Sequence, residues 1–217
     1  MSLPIVREIR RLQSPFQRPQ GLAWDGEQLW ISSMATGALC AMDPATWTPA
    51  WETKAPGTPF GLTFAGGALL VLCGETSADH RIIRKCLPHH GFESSFGIPC
   101  PGDTGSQLGH DGTHLYVSQW YKQRVLRLDN AGIAIQSISS PHQICGQVIV
   151  GGHLYLMTTD DESTNDYFLT KIDLVTHEAV DVAMVPFQGR ALAFDGTNFW
   201  TNHREAHQTV CFTVDQH

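Results

Sequence analysis

The chain has 217 residues, 42% hydrophobic and 16% charged, a balance that suits one packed globular domain and is wrong for a disordered segment. Its formal net charge of −7, with no Lys or Arg run to offset it, argues against nucleic acid as a partner; the densest basic cluster, Arg7, Arg10 and Arg11, fits an exposed strand face. No apolar stretch approaches the roughly 20 residues of a membrane span, and the opening MSLPIVREIRRLQ lacks the apolar core of a secretory leader, so a cytoplasmic protein without a membrane partner is expected.

In chain order, residues 5–12 read as a strand with no hairpin partner of its own. One pattern then recurs: a short apolar strand, a tight turn with Gly, and an apolar-aromatic strand. It reads GLAWDGEQLWIS (21–32), GLTFAGGALLVL (61–72), QLGHDGTHLYVS (107–118), GQVIVGGHLYLM (146–157) and ALAFDGTNFWTN (191–202). The turn glycines Gly26, Gly66, Gly112, Gly151 and Gly196 are 40, 46, 39 and 45 residues apart, a period that indicates a propeller or another repeat array.

Third strands follow at 38–42, 82–86, 125–128, 168–174 and 210–214; three of them run into an Asp turn at Asp43, Asp129 and Asp173. Fourth strands fit 49–53, 133–138 and 179–185, and no helical periodicity appears. Four strands per repeat make a blade. The expected fold is therefore all-β: a single five-bladed β-propeller over residues 1–217 with four-stranded antiparallel blades. The N-terminal strand is expected to complete the last blade and close the ring, removing a free sheet edge.

Six cysteines, at 40, 73, 86, 100, 145 and 211, include no Cys-x-x-Cys pair, so reduced and mostly buried thiols are expected.

The repeats PQGLAWDGEQLWIS and GRALAFDGTNFWTN resemble those of the propeller superfamily that contains gluconolactonase-like proteins, virginiamycin B lyase and NHL-repeat proteins. Gln20-Gly21-Leu22 is also similar to the Gln-Gly-Leu start of plant-type glutaminyl cyclases, which are five-bladed. Those cyclases carry their acidic catalytic residue in a Gly-Glu-Gly-Trp-Gly-Leu-type segment. The nearest match in this chain, Thr58-Pro59-Phe60-Gly61-Leu62, has no Glu, and the Glu-Gly-Pro opening of gluconolactonases is not found.

Strand order puts the short first-to-second turns on one face. The longer connections, 15–20, 56–60, 101–106, 141–145 and 186–190, lie on the other, with the second-to-third loops. Function collects on loops held by a rigid scaffold. Gln20, Phe60, Ser106, Cys145 and Arg190 stand just before the inner strands; Cys73, Glu75, Gln119, Trp120, Tyr121, Asp160, His203 and Glu205 stand at the ends of the second strands. His110 replaces the large apolar residues Trp24, Phe64 and Phe194 at matching positions.

Two accounts compete for these residues. In one, Glu75, His110, His142 and His203 converge as an acid–base or metal cluster, with His110, His203 and Glu75 as ligands of a divalent ion. Glu75, His142 and Arg190 then carry the chemistry, and Gln20, Phe60, Ser106, Gln119, Trp120, Tyr121 and Cys145 form the substrate pocket. In the other, His110 is a buried histidine bonded to backbone, His142 and His203 are exposed loop residues, and Arg190 pairs with Glu75 or Glu205. Asp160-Asp161-Glu162 reads as a solvated loop tip.

The expected function is a metal-assisted hydrolase or lyase acting on a small organic molecule. The alternatives are a non-catalytic ligand-binding or scaffold propeller, which could take a protein partner, and a divergent glutaminyl-cyclase-like transferase.

Overall fold

The computed structural model describes residues 3–74 and 80–214. They form five antiparallel sheets, the blades of a propeller. Blade one runs Pro19–Trp24, Leu29–Ser33, Ala38–Met42 and Pro49–Lys54, from the axis outward. Blade three is Leu108–His110, Leu115–Gln119, Arg124–Leu128 and Ala134–Ser139; blade four is Gln143–Val150, His153–Thr159, Tyr167–Asp173 and Ala179–Val185. In blade two, Thr58–Ala65, Ala68–Gly74 and Arg81–Leu87 are regular, but the outer strand is broken into Gly91–Phe92 and Ile98–Pro99, both paired with the third strand.

Blade five consists of Gly189–Phe194, Phe199–His203 and Gln208–Thr213, with Arg7–Gln13 as its outer strand, antiparallel to Gln208–Thr213. Before that strand begins, residues 4–6 run beside Met184 of blade four, with the amide of Val6 bonded to the Met184 carbonyl at 2.9 Å. Each inner strand packs against the inner strands of both neighbouring blades, including the first against the last.

The turn chemistry explains the repeat. In blades one, three and five the turn Asp does two jobs. Oδ1 of Asp25 accepts the amides of Glu27 and Gln28, and Oδ2 accepts the Trp30 indole N–H at 2.7 Å. Asp111 does the same for Thr113, His114 and the Tyr116 hydroxyl, and Asp195 for Thr197, Asn198 and the Trp200 indole. Blades two and four lack that Asp and use Gly66-Gly67 and Gly151-Gly152, whose positive φ angles any other residue would adopt only with strain.

The second strands of blades one and three are buried end to end, and those of the other blades nearly so, because neighbouring blades cover both faces. Leu22, Leu29, Ile31 and Met42 of blade one interdigitate with Ala191, Ala193 and Trp200 of blade five, each large apolar side chain contributing about 1.5–3 kcal/mol.

Near the axis the inner strands approach too closely for side chains. A Cβ on Gly61 would lie 2.4 Å from the Gln107 Cα, and one on Gly146 would lie 2.4 Å from the Ala191 carbonyl carbon. Four inner strands carry a bulge just there, between Pro19 and Leu22, Pro59 and Leu62, Ile144 and Gly146, and Arg190 and Ala193. The bulge is what lets the strand bend at the mouth of the axis.

All six cysteines are free and buried. No helix among the described residues is long and apolar enough to cross a membrane. Two single 3₁₀ turns, Pro101–Asp103 and Trp120–Lys122, are the described helical elements.

Candidate functional site

A cavity of about 460 Å³ opens on the loop face, and all five blades contribute to its wall. Blade one supplies Gln20 and Met34, and blade two Phe60 and Arg81. Blade three and the loop before it supply residues 104–107, Trp120 and Tyr121; blade four supplies Gln143 and residues 160–162; blade five supplies Arg190 and Arg204. Gln20, Phe60, Gln143 and Arg190 sit inside inner strands and not in the loops where the sequence pattern put them.

Arg190 anchors this site. It is 9% exposed, its guanidinium is ion-paired with Glu162, and its Cζ lies 5.2 Å from the Trp120 ring centroid. Burial works against its charge, but Cys145, Glu162 and Tyr167 outweigh that and raise its pKa, so it is a permanent cation. The Nε of Arg190 is buried without a partner. Across the cavity the Arg81 guanidinium covers the Phe60 ring at 3.4 Å and donates to the Gly105 carbonyl. Tyr121 is 95% exposed and stands at the rim. The Gln20 side-chain oxygen is buried with no partner.

Residues 160–162 are exposed, as a solvated loop tip should be, yet they also line the cavity, and Glu162 pairs with Arg190, for which one account had Glu75 or Glu205 as partner. Glu75 lies outside the described residues.

The remaining candidates scatter. His142 is outside the cavity, with Nδ1 2.7 Å from Asp160 and Nε2 3.1 Å from Asp181, and its ring stacks on Phe168. Burial disfavours its charge, yet the two carboxylates more than compensate and raise its pKa. His203 stacks on Phe187 and lies 2.9 Å from an Arg11 nitrogen; burial and Arg11 lower its pKa. His110 belongs to the turn face, in a cavity of about 160 Å³ walled by its repeat counterparts Trp24, Phe64 and Phe194. Its Nδ1 accepts the Gly112 amide, and burial lowers its pKa. His110 and His203 therefore hold separate partners in separate places, and the described residues contain no group of three or more His, Cys, Asp or Glu that could hold a metal ion.

Gln119 is buried and ties Arg124 to the carbonyls of Pro101 and Thr104, a scaffold role. Cys145 is fully buried behind Arg190, and burial pushes its thiol up to about 12, which removes it as a nucleophile near neutral pH.

No protein-family model matches the chain, and no curated protein does. Solved structures do. The glutaminyl cyclase of Myxococcus xanthus superposes with a TM-score of 0.74 at 14% identity over 99% of each chain. A Kuenenia stuttgartiensis hydrazine synthase gives 0.54 at 17% identity, over 88% of this chain and 57% of that one. A catalytically inactive virginiamycin B lyase from Staphylococcus aureus with quinupristin gives 0.54 at 12%, over 93% and 82%. At these identities the likeness is one of fold: a five-bladed propeller.

Sequence reading missed Glu162, Arg204 and Arg81. Arg204 follows His203 at the end of a second strand, the same place that singled out Trp120, so the positional signal existed. Glu162 was read as part of a solvated loop tip, in a second-to-third connection longer than those of blades one, three and five.

Proposed function

We propose that the loop-face cavity binds a small organic molecule and that the protein acts on it as an enzyme of the hydrolase or lyase type. The observation that carries this reading is the Arg190–Glu162 pair, a buried cation and a carboxylate side by side in a cavity with aromatic walls. Glu162 is placed to move a proton, either from water or from carbon next to a carbonyl. Arg190 is placed to hold the oxygen that becomes negative. His110 and His203 enter neither step. Because the wall draws on five blades, it needs the ring held in register; in this reading Arg7–Gln13 closes the ring as the outer strand of blade five.

The test is a turnover panel of small esters, lactones, 2-hydroxy acids and a peptide beginning with glutamine, the last chosen for the cyclase-like fold. Metal content is measured on the same preparation. Wild type should turn over at least one class. Glu162→Gln should lose that turnover, and Ser106→Trp, which fills the cavity, should lose binding as well, both with melting temperatures near wild type. Saturable binding without turnover would favour the non-catalytic ligand-binding alternative. Turnover that survives Ser106→Trp would remove the cavity from consideration.

A further inference from the structure

The charges around Arg190 do not pair off evenly. Glu162, Arg190 and Arg204 also wall a second cavity of about 330 Å³ between blades four and five, together with Arg18 and Glu205. Three guanidinium groups thus face two carboxylates. Arg18 takes Glu205 at 2.9 Å, and Arg190 takes Glu162. The other carboxylates of the loop-face cavity are engaged elsewhere: Asp160 holds His142, and Asp161 Oδ1 accepts the amide and hydroxyl of Ser163.

Arg204 is the group left over. Among the described residues its guanidinium has no hydrogen bond or ion pair, and its Nε is buried without a partner. Burial and repulsion from Arg190 and Arg18 lower its pKa, outweighing the attraction of Glu205 and Glu162. A buried donor with nothing to bond is destabilising, more so when it is charged. One added negative charge would satisfy the donor and restore a one-to-one pairing.

We infer that Arg204 receives the carboxylate of the ligand, which makes the molecule bound in the loop-face cavity an organic monoanion. This rests on the proposed reading of that cavity as a small-molecule site. The planar fork of a guanidinium matches the two oxygens of a carboxylate. Among the described residues that wall the cavity between blades four and five, Arg204 alone is unpaired, and a phosphate would bring about −1.5 to −2 charges to it. Phe60, Trp120 and Tyr121 in the same wall suit an apolar or aromatic body on the ligand.

The experiment uses the full chain and calorimetric titration with benzoate, its uncharged amide benzamide, and inorganic phosphate. Benzoate should bind saturably and at least tenfold more tightly than benzamide or phosphate. Arg204→Gln should weaken benzoate tenfold or more and leave benzamide unchanged, and Arg204→Lys, which keeps the charge without the fork, should fall between. Ser106→Trp should weaken both. Equal benzoate binding by wild type and Arg204→Gln, with loss in Ser106→Trp, overturns the Arg204 assignment while the cavity reading stands. Absence of benzoate binding to wild type overturns the inference too, and the cavity reading is then judged by the turnover panel alone. Phosphate binding as tightly as benzoate overturns the choice of a carboxylate.

Discussion

The indole rings of Trp47 and Trp200 stack with centroids 6.0 Å apart and planes 5° from parallel, joining the first blade to the last. The Trp47 indole N–H also donates to the Gln13 carbonyl at 2.7 Å, at the end of the N-terminal strand. One side chain therefore binds three parts of the chain that are distant in sequence. Trp47→Ala should cost about 2–4 kcal/mol through lost packing and stacking, and Trp47→Phe less, since it keeps one stacking ring while losing the second ring and the donor. Denaturant unfolding measures both. Removing residues 1–13 should do more, because it bares the Gln208–Thr213 edge. A truncated chain that stays monomeric and melts with wild type would count against ring closure by this strand.

The turn aspartates give a repeated experiment. Asp195→Ala strands two turn amides and the Trp200 indole N–H. A loss of about 2–4 kcal/mol is expected, from hydrogen bonds of roughly 0.5–1.5 kcal/mol each with more for those to a charged group. Asp25→Ala should match it, since the partners are the same in kind. Unequal losses, one large and one near zero, would show that blade context and not the turn motif sets the value.

The fold was legible because its local chemistry repeats. A turn Gly stands at the same offset in all five repeats, with Asp before it in three of them, so the period survives where side chains vary. Blade two shows the limit: its outer strand is two dipeptides, Gly91–Phe92 and Ile98–Pro99, too short to show alternation. The site was legible in part. Gln20, Phe60, Ser106, Trp120, Tyr121 and Arg190, singled out by their places in the repeat, all line the loop-face cavity. The Arg190 partner was not legible, because the path of residues 160–166 is set by their own turns, with Asp161 and Thr159 bonding within the loop. The histidines named with Glu75 do not gather in one place, because a shared repeat position does not say which face a side chain serves, and His110 lies at the turn end.

Stability should depend on pH through His142 in a definite direction. Its folded pKa is raised, so its contribution is fully present below the ordinary histidine value of 6.5 and is lost as pH rises through the folded value. Hydrogen bonds to charged groups are worth about 1.5–3 kcal/mol when sheltered; Asp160 is 70% exposed, so a total of about 1–2 kcal/mol is expected. His142→Gln should flatten the melting temperature between pH 6 and about 8 relative to wild type. An unchanged profile would mean that the carboxylate–imidazole–carboxylate bridge contributes nothing in solution.

The thiols should be silent in the folded protein. All six are buried, and burial raises Cys40, Cys100 and Cys145 to about 12 and Cys86 and Cys211 to about 11. A disulfide reagent at pH 8 should therefore react slowly with native protein and count six thiols once it is unfolded without reductant. A fast native phase would identify a thiol that the fold leaves accessible.

His110→Phe separates packing from function. Phe stands at the matching position in blades two and five, and the wall of the cavity His110 shares with Trp24, Phe64 and Phe194 is mostly apolar, with Asp111, His114 and Arg127 on its other side, so the substitution should change stability by no more than about 1 kcal/mol at pH 7.5. The Gly112 amide loses its acceptor but sits in an exposed turn, where water replaces it. Acid should then favour the variant. The folded pKa of His110 is lowered by burial, so below pH 6.5 the unfolded chain binds the proton more readily, and wild type loses stability as pH falls toward the folded value. Phe has nothing to protonate. The melting-temperature difference, variant minus wild type, should therefore grow between pH 7.5 and pH 5. A difference that shrinks in acid would show the imidazolium to be stabilised in the folded state. Loss of a stoichiometric divalent ion in the variant would return His110 to the role of ligand.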